Sequence, residues 1–231
     1  MHYFLGLEMQ QSPEGIFLNQ GKYVVEILKR FDMLDCKAMT TPMDTNLKLL
    51  SDDPSELVDM TQYRQIIWSL MYLTNTRPYI CFDVNTLSQY LVKPRWVHMI
   101  AAKHVMRYLK GTIDLRLYYG RDHDYKLYRY MDSDWAGNPV DRKSTSSGCY
   151  CLGSAMISWF SKKESSVSLS TTEAEYIAAC STCCEAIWIR KLVSGLFRME
   201  LDTTIILCDN QSCIKMTVNL VFHDKSKHIE I

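Results

Sequence analysis

The chain has 231 residues, of which 47% are hydrophobic and 23% are charged, and its 26 Lys and Arg equal its 26 Asp and Glu in number. These proportions are typical of a globular protein and exclude a disordered tail, a collagen-like chain and a coiled coil. The sequence has no run near the ~20 apolar residues of a membrane-spanning helix and no signal-peptide pattern at its N-terminus, so we expect a soluble, non-secreted protein.

The first half of the sequence predicts a β-hairpin followed by helices. The strands are indicated by β-forming residues on either side of a turn, and the helices by apolar residues at helical spacing. In chain order, the predicted elements are a strand at 3–9, a turn at Ser12–Gly15, a return strand from Ile16, and helices at 24–31, from Tyr63 to Arg77, between Pro78 and Pro94, and from Pro94 to Gly111.

From about residue 113 the pattern changes to alternating strands and helices. The predicted strands lie at 115–119, 126–131, 148–152, 155–160 and 203–208, and the predicted helices at 170–197 and 211–218. Gly153-Ser154 lies between two of the strands and is a hairpin signal. This order predicts an α/β fold for the second half of the chain.

Nine cysteines, an odd number, are scattered along the chain. No secretory pattern accompanies them, so we expect reduced, buried thiols. Cys180 and Cys183 have C-x-x-C spacing, but no second pair lies at zinc-finger distance and the pair falls within a predicted helix. This placement disfavours a zinc or redox protein.

Three carboxylates stand at the ends of predicted elements in the second half of the chain. Asp132 ends one strand, Glu173 lies in the first turn of the long helix, and Asp209 ends another strand. Strand ends and helix starts meet at one edge of an α/β sheet, and an oxygen-rich cluster there suits Mg²⁺ or Mn²⁺. Two such ions can activate a water and stabilise the leaving oxygen in phosphodiester cleavage.

Each of these acids also has a purely structural interpretation. The alternatives are capping boxes at Ser170-x-x-Glu173 and Thr172-x-x-Glu175, an N-cap at Asp209, and ordering of the turn before Gly137 by Asp132 and Asp134. The order strand-Asp, hairpin, helix-Glu, strand-Asp favours a shared site over separate local roles.

Basic residues are concentrated between residues 93 and 121, where seven Lys and Arg are opposed by a single acid, Asp114. We predict contacts to nucleic-acid phosphates from Lys103, Arg107 and Lys110. Lys162 and Lys163, which follow a predicted strand, are further candidates. The alternative for all of them is an ordinary solvated surface.

Several motifs of the sequence are specific when they are taken together. The second half contains Tyr130–Gly137 (YMDSDWAG), Asp141–Ser146 (DRKSTS), Ile157–Lys163 (ISWFSKK), Leu169–Tyr176 (LSTTEAEY), Glu185–Trp188 (EAIW), Cys208–Ser212 (CDNQS) and Lys227–Ile231 (KHIEI). The first half contains Tyr3–Gly6, Cys36-Lys37, Thr41-Pro42, Tyr72–Pro78 and Arg107–Thr112. Together these motifs resemble those of the Pol polyproteins of copia-type LTR retrotransposons: the second-half segments resemble the family's ribonuclease H domain, and the first-half segments resemble the end of its reverse transcriptase.

The resemblance implies a domain division and an activity. Residues 1–120 are expected to be the C-terminal part of a reverse transcriptase, with a hairpin and thumb- and connection-like helices. Residues 121–231 are expected to be a C-terminally truncated ribonuclease H-like domain, a mixed sheet with helices. In that family the acids matching Asp132, Glu173 and Asp209 bind two Mg²⁺ ions, with Mn²⁺ as a substitute, and the domain hydrolyses the RNA strand of RNA–DNA hybrids. Asn210 and Gln211 are expected beside the nucleic acid.

The chain also departs from the family pattern. It lacks the paired-Asp motif of the polymerase and the fourth ribonuclease H carboxylate, so we expect a fragment with no polymerase activity and weaker metal binding. The expected partners are an RNA–DNA hybrid and the remainder of the Pol polyprotein, without a membrane, and the expected location is a cytoplasmic virus-like particle. The alternative left open is a catalytically inactive retrotransposon remnant with weak nucleic-acid binding.

Overall fold

The computed structural model of the chain describes residues 3–44, 47, 49–121, 126–138 and 140–218. The chain forms two compact units, Met1–Arg121 and Asp122–Ile231. Each unit has its own sheet and its own buried core. The predicted motif at Lys227–Ile231 lies outside the described residues.

The first unit combines a four-stranded sheet with helices. Its strands are β1 (Tyr3–Phe4), β2 (Leu7–Gln11), β3 (Gly15–Asn19) and β4 (Leu117–Gly120), and its helices are α1 (Gly21–Arg30), α2 (Met60–Leu73), a short 3-10 helix (Pro78–Ile80), α3 (Cys81–Ser88) and α4 (Trp96–Gly111). The strand order is β1-β2-β3-β4, and every neighbouring pair is antiparallel. The predicted hairpin and helices are confirmed.

Strand β4 joins a different sheet from the one that the sequence pattern indicated. We expected the strand near residue 117 among the α/β elements of the second half, whereas it pairs with β3, with Leu117 opposite Leu18 and Gly120 opposite Gly15. Gly15 permits this close pairing, because a Cβ there would collide with the backbone oxygen of Tyr119. Local sequence does not specify a partner so distant in the chain, since pairing depends on tertiary packing.

The helices of the first unit bury an apolar core. Helix α1 contributes Val24, Ile27 and Leu28, which recur at the i, i+3, i+4 spacing of a single helix face. Tyr63 of α2 is fully buried, and its hydroxyl donates to the backbone oxygen of Leu87 in α3 at 2.9 Å. The buried polar group is therefore satisfied, and the two helices are joined by more than apolar contact.

A buried carboxyl near the start of α3 gives the first unit a pH-dependent stability. Asp83 is 8% exposed, and burial raises the pKa of its carboxyl from the ordinary 3.8 to about 6. Between these values the folded protein holds a proton that the unfolded chain releases. The stabilisation is therefore complete below pH 4 and is lost as pH rises through 6, by up to about 3 kcal/mol.

We expect Asp83→Asn to remove this pH dependence and to raise the free energy of unfolding at pH 7 by about 1–3 kcal/mol, because the neutral amide escapes the cost of a buried charge. Urea denaturation of both proteins at several values between pH 4 and pH 7.5 measures the difference. Parallel pH profiles for the two proteins would show that Asp83 is not the titrating group.

The second unit is a mixed sheet covered by helices. Its elements are β5 (Leu127–Ser133), β6 (Thr145–Leu152), β7 (Ala155–Lys163), α5 (Thr171–Phe197), β8 (Ile205–Leu207) and α6 (Gln211–Val218). The strand order is β7-β6-β5-β8. Strands β5, β6 and β7 pair antiparallel, whereas β8 pairs parallel with β5. The predicted mixed α/β architecture is confirmed.

Helix α5 packs against the sheet and completes the second core. Ala186, Ile189 and Val193 of α5 cluster with Leu127 of β5 and Tyr150 of β6. The Tyr150 hydroxyl donates to the backbone oxygen of Thr182 in α5 at 2.6 Å, which fixes the helix on the sheet. Among the described helices of both units, none is long and apolar enough to cross a membrane.

Candidate functional site

Two of the predicted site acids lie at the carboxyl ends of neighbouring parallel strands. Strand β5 pairs with β8 so that Tyr130 lies opposite Leu207. Continuing this register by two residues sets Asp132 level with Asp209, both at the carboxyl end of their strands. Both side chains are exposed. The structure therefore brings Asp132 and Asp209 to the same edge of the sheet, as the sequence predicted.

The third predicted acid, Glu173, lies at the start of α5 in a capping arrangement. The Ser170 side chain accepts a hydrogen bond from the backbone N–H of Glu173 at 3.2 Å, and Glu173 Oε2 accepts one from the backbone N–H of Leu169 at 2.8 Å. These bonds satisfy backbone donors that an isolated helix start leaves unpaired. The structural interpretation of Glu173 thus agrees with the observed contacts.

Glu175 is the glutamate whose donor atoms lie with those of Asp209, and the charge of Asp132 also acts on its carboxyl. Its Oε1 accepts a hydrogen bond from the backbone N–H of Ser133 at 3.1 Å, and its Oε2 lies 3.9 Å from the sulfur of Cys208. Donor atoms of Glu175, Cys208 and Asp209 all lie within 4.8 Å of one another. The side chain of Glu175 is 4% exposed and joins α5 to the ends of β5 and β8.

The electrostatics of Glu175 are those of a crowded acidic site. Burial raises the pKa of its carboxyl, the bond from Ser133 lowers it, and the charges of Asp132 and Asp209 raise it again. Three carboxylates that repel one another at a strand edge are costly unless a cation neutralises them. Their oxygen atoms are the ligands that Mg²⁺ and Mn²⁺ prefer, so the donor set fits the predicted ions.

The neighbouring acid Asp134 has a structural role. Its carboxylate accepts hydrogen bonds from the backbone N–H groups of Thr145 and Gly137. A Cβ at Gly137 would collide with this carboxylate, so the turn requires glycine at that position. Asp134 therefore ties the loop after β5 to the start of β6, which is the turn-ordering role considered for it.

Asp209 is not the N-cap of α6. The side chain of Asn210 accepts hydrogen bonds from the backbone N–H groups of Ser212 at 3.0 Å and Cys213 at 2.9 Å. Asn210 is thus the capping residue, and the carboxylate of Asp209 faces Glu175 and Cys208 instead. Asn210 thus has a structural role, and its contact with nucleic acid stays a prediction.

The basic residues predicted on α4 are engaged within the first unit. The Arg107 Nε donates to the backbone oxygen of Lys37 at 2.8 Å, and the Lys110 ammonium donates to that of Leu34. Both side chains therefore hold the loop after α1. Lys103 is half-buried on the same helix.

The residues of the second unit that were predicted to contact nucleic acid differ in their exposure and in their partners. Lys163 forms a 2.7 Å ion pair with Asp141. Lys162 is exposed on β7 and pairs across the sheet with Ser146 of β6, which pairs with Ser133 of β5. Lys162 therefore lies at the same end of the sheet as Asp132, two strands away. Gln211 is exposed at the start of α6, directly after the cap.

The periodic spacing of residues along α5 could have identified Glu175 as the glutamate that faces the sheet. The buried positions Ala178, Thr182, Ala186 and Ile189 form the stripe of α5 that faces the sheet. Extending that stripe backwards by three residues reaches Glu175. Glu173 is two residues earlier, which is about 200° around the helix, so the two glutamates face different directions.

Known proteins similar to this chain identify its family. The retrovirus-related Pol polyprotein from transposon RE2 of Arabidopsis thaliana is 41% identical over 231 residues, which are 100% of this chain and 16% of that protein. The corresponding polyprotein from transposon TNT 1-94 of Nicotiana tabacum is 35% identical over 98% of this chain and 18% of that protein. The chain belongs to the Pol family of copia-type retrotransposons.

This Pol chain also resembles shorter proteins. An uncharacterized mitochondrial protein of Arabidopsis thaliana is 40% identical over 188 residues, which are 81% of this chain and 78% of that protein. No family model and no solved structure matches the Pol chain. It spans 16% to 18% of the length of the curated Pol polyproteins compared above.

Proposed function

We propose that residues 121–231 form a ribonuclease H-like domain that hydrolyses the RNA strand of RNA–DNA hybrids during reverse transcription. The observation that carries the proposal is the convergence of Glu175 and Asp209, with Asp132 beside them, at one edge of a mixed sheet. The antiparallel strands β5 to β7, extended by the parallel strand β8, support the assignment. Membership of the Pol family supports it independently.

Asp132, Glu175 and Asp209 would hold the Mg²⁺ or Mn²⁺ ions. The bound metal supplies an activated water and charge stabilisation at the leaving oxygen, the two requirements of phosphodiester hydrolysis. In this proposal Glu175 takes the place of Glu173 in the ligand set that the resemblance implied, because Glu175 lies within 4.8 Å of Asp209, whereas Glu173 accepts a hydrogen bond from the backbone N–H of Leu169.

The surrounding backbone orients these carboxylates. The N–H of Ser133 fixes one oxygen of Glu175 and leaves the other directed towards Cys208 and Asp209. The cap at Asn210 sets the turn between β8 and α6, which positions Asp209 at the strand end. Such supporting contacts restrict the carboxylates before any ligand binds.

The nucleic acid would approach the exposed side of this edge. Lys162 and Gln211 are exposed on either side of the acids and are suited to phosphate and sugar contacts. Recognition of the hybrid would depend on helix shape and on the 2′-hydroxyl groups of the RNA strand and not on base sequence. Arg107 and Lys110 donate to backbone oxygens of the loop after α1, and their predicted phosphate contacts are not used in this proposal.

Residues 1–120 would be the C-terminal part of the reverse transcriptase, with the hairpin of β2 and β3 and helices α1 to α4 as its thumb- and connection-like region. The proposed partners are the RNA–DNA hybrid and the remainder of the Pol polyprotein, within a cytoplasmic virus-like particle. Polymerase activity is not part of the proposal.

A cleavage assay tests the proposed activity. A labelled RNA–DNA hybrid is incubated with the purified chain in Mg²⁺ and, separately, in Mn²⁺. We expect metal-dependent cuts in the RNA strand and at least about a 100-fold lower rate for Asp209→Asn, since even residues that only support metal ligands contribute 10- to 100-fold. A folded wild-type chain that leaves the hybrid intact in both metals would reject the activity and favour the inactive remnant.

A further inference from the structure

A thiol lies among the carboxylates of the candidate site. The sulfur of Cys208 is 3.9 Å from Glu175 Oε2, and donor atoms of Glu175, Cys208 and Asp209 are mutually within 4.8 Å. Mg²⁺ binds oxygen ligands and makes no use of a sulfur atom, whereas Zn²⁺ and Cd²⁺ bind thiolate readily. The sulfur atom in this donor set is therefore a ligand that a magnesium-dependent hydrolase does not require.

We propose that Glu175, Cys208 and Asp209 form a binding site for a thiophilic divalent cation, Zn²⁺ or Cd²⁺, and that occupation of this site inhibits the hydrolase. The inhibitory part rests on the proposed function, because the cation would occupy two carboxylates needed for Mg²⁺. The binding part does not rest on it. Cys208 loses its proton to solvent as the sulfur–metal bond forms.

The distances suit such an ion. In a tetrahedral zinc site with bonds of about 2.0–2.3 Å, ligand atoms lie about 3.3–3.8 Å apart. The separation of 3.9 Å between Cys208 and Glu175 is already close to this range, and the remaining contraction is within side-chain reach. Three protein ligands leave a fourth position for water.

A second thiol supports the first. Cys213, which is 1% exposed on α6, donates a hydrogen bond to the sulfur of Cys208. A contact of this kind restricts the orientation of the ligand sulfur, as groups behind metal ligands commonly do. The sulfur of Cys208 therefore has Cys213 on one side and, at 3.9 Å, Glu175 as a further partner.

The test uses metal alone, without nucleic acid. Reduced, metal-free protein is titrated with Cd²⁺, and the ultraviolet cadmium–thiolate absorption is recorded. We expect one equivalent of Cd²⁺ to bind and to produce this absorption band, and we expect the band to be absent in Cys208→Ser. Added Zn²⁺ should displace the Cd²⁺ and remove the band, whereas added Mg²⁺ should not. Cys184→Ser is the matched control, because Cys184 is an exposed thiol on α5 outside the site.

A second variant separates this site from other thiols. Glu175→Gln keeps every cysteine but removes a ligand charge, so we expect at least about a tenfold weaker Cd²⁺ affinity. Circular dichroism verifies that each variant folds. A band that survives in Cys208→Ser, or an affinity unchanged in Glu175→Gln, would place the cadmium on other cysteines and overturn the proposal.

Inhibition of the hydrolase by Zn²⁺ is measured in a separate experiment. We expect Zn²⁺ to suppress hybrid cleavage by the wild-type chain and Cys208→Ser to require at least about tenfold more Zn²⁺ for the same suppression. Equal sensitivity of the two proteins would reject inhibition through Cys208. If the hybrid is not cleaved at all, the proposed function fails, while the cadmium titration still decides whether the site exists.

Discussion

Glu175→Gln is expected to lower the rate of hybrid cleavage by at least about 100-fold without unfolding the second unit. The substitution removes the charge of a buried carboxylate that lies with Asp209 and Cys208, and contacts that merely support metal ligands already contribute 10- to 100-fold. Burial and the neighbouring aspartates raise the pKa of this carboxyl. Because its charge is unfavourable in the folded protein, the neutral amide should leave the free energy of unfolding unchanged or increase it.

Glu173→Gln is the matched control for that experiment. The amide oxygen can still accept the hydrogen bond from Leu169, so we expect the rate within about threefold of wild type and the free energy of unfolding within about 1 kcal/mol. Single-turnover cleavage rates and urea denaturation of both variants provide the comparison. If Glu173→Gln inactivates the chain and Glu175→Gln does not, the ligand set inferred from the structure is wrong and the original sequence assignment is correct.

Arg77→Met is expected to destabilise the first unit by about 2–4 kcal/mol. The guanidinium is fully buried and donates to the backbone oxygens of Thr112 at 2.6 Å and Ile113 at 2.9 Å, and to the Tyr79 hydroxyl at 2.5 Å. It thereby ties the segment after α2 to the chain that leaves α4. Methionine fills much of the volume but leaves these acceptors without their donor.

Arg30→Met provides the surface comparison for Arg77. Arg30 forms a 2.7 Å ion pair with Glu26 on the exposed side of α1, and exposed pairs of this kind contribute little, so we expect a change below about 0.5 kcal/mol. The loss of unfolding free energy in Arg77→Lys should lie between those of Arg77→Met and Arg30→Met, because one ammonium group cannot reproduce the forked donors of a guanidinium. Urea denaturation measures all three variants. Equal stability of Arg77→Met and Arg30→Met would contradict the assigned role of Arg77.

Local sequence patterns predicted the elements well, since helix spacing and turn residues are properties of neighbouring residues. The hairpin of β2 and β3, the long helix α5 and the strand–helix step from β8 to α6 all formed where the pattern indicated. Asp132 and Asp209 share the sheet edge that the pattern indicated, because each lies at the carboxyl end of a strand and the ends of neighbouring parallel strands meet there.

The predictions that needed revision depend on contacts distant in sequence. Glu173 and Glu175 both lie near the start of α5, and the motif alone does not distinguish them. The buried stripe of α5, which packs on the sheet, includes Glu175. The phosphate contacts of Arg107 and Lys110 stay a prediction, but charge alone did not indicate that both side chains have partners within the first unit. Their partners are backbone oxygens in a loop some seventy residues earlier, which no local pattern specifies.

The pairing of β4 with β3 has a consequence for biosynthesis. During translation, β2 and β3 can form their hairpin as soon as they leave the ribosome, but the outer edge of β3 stays uncovered until Leu117–Gly120 has been made. Exposed strand edges recruit other chains, and pairing between distant segments slows folding. A nascent chain interrupted between α1 and β4 therefore presents an unpaired strand edge through which it can aggregate unless a chaperone covers it.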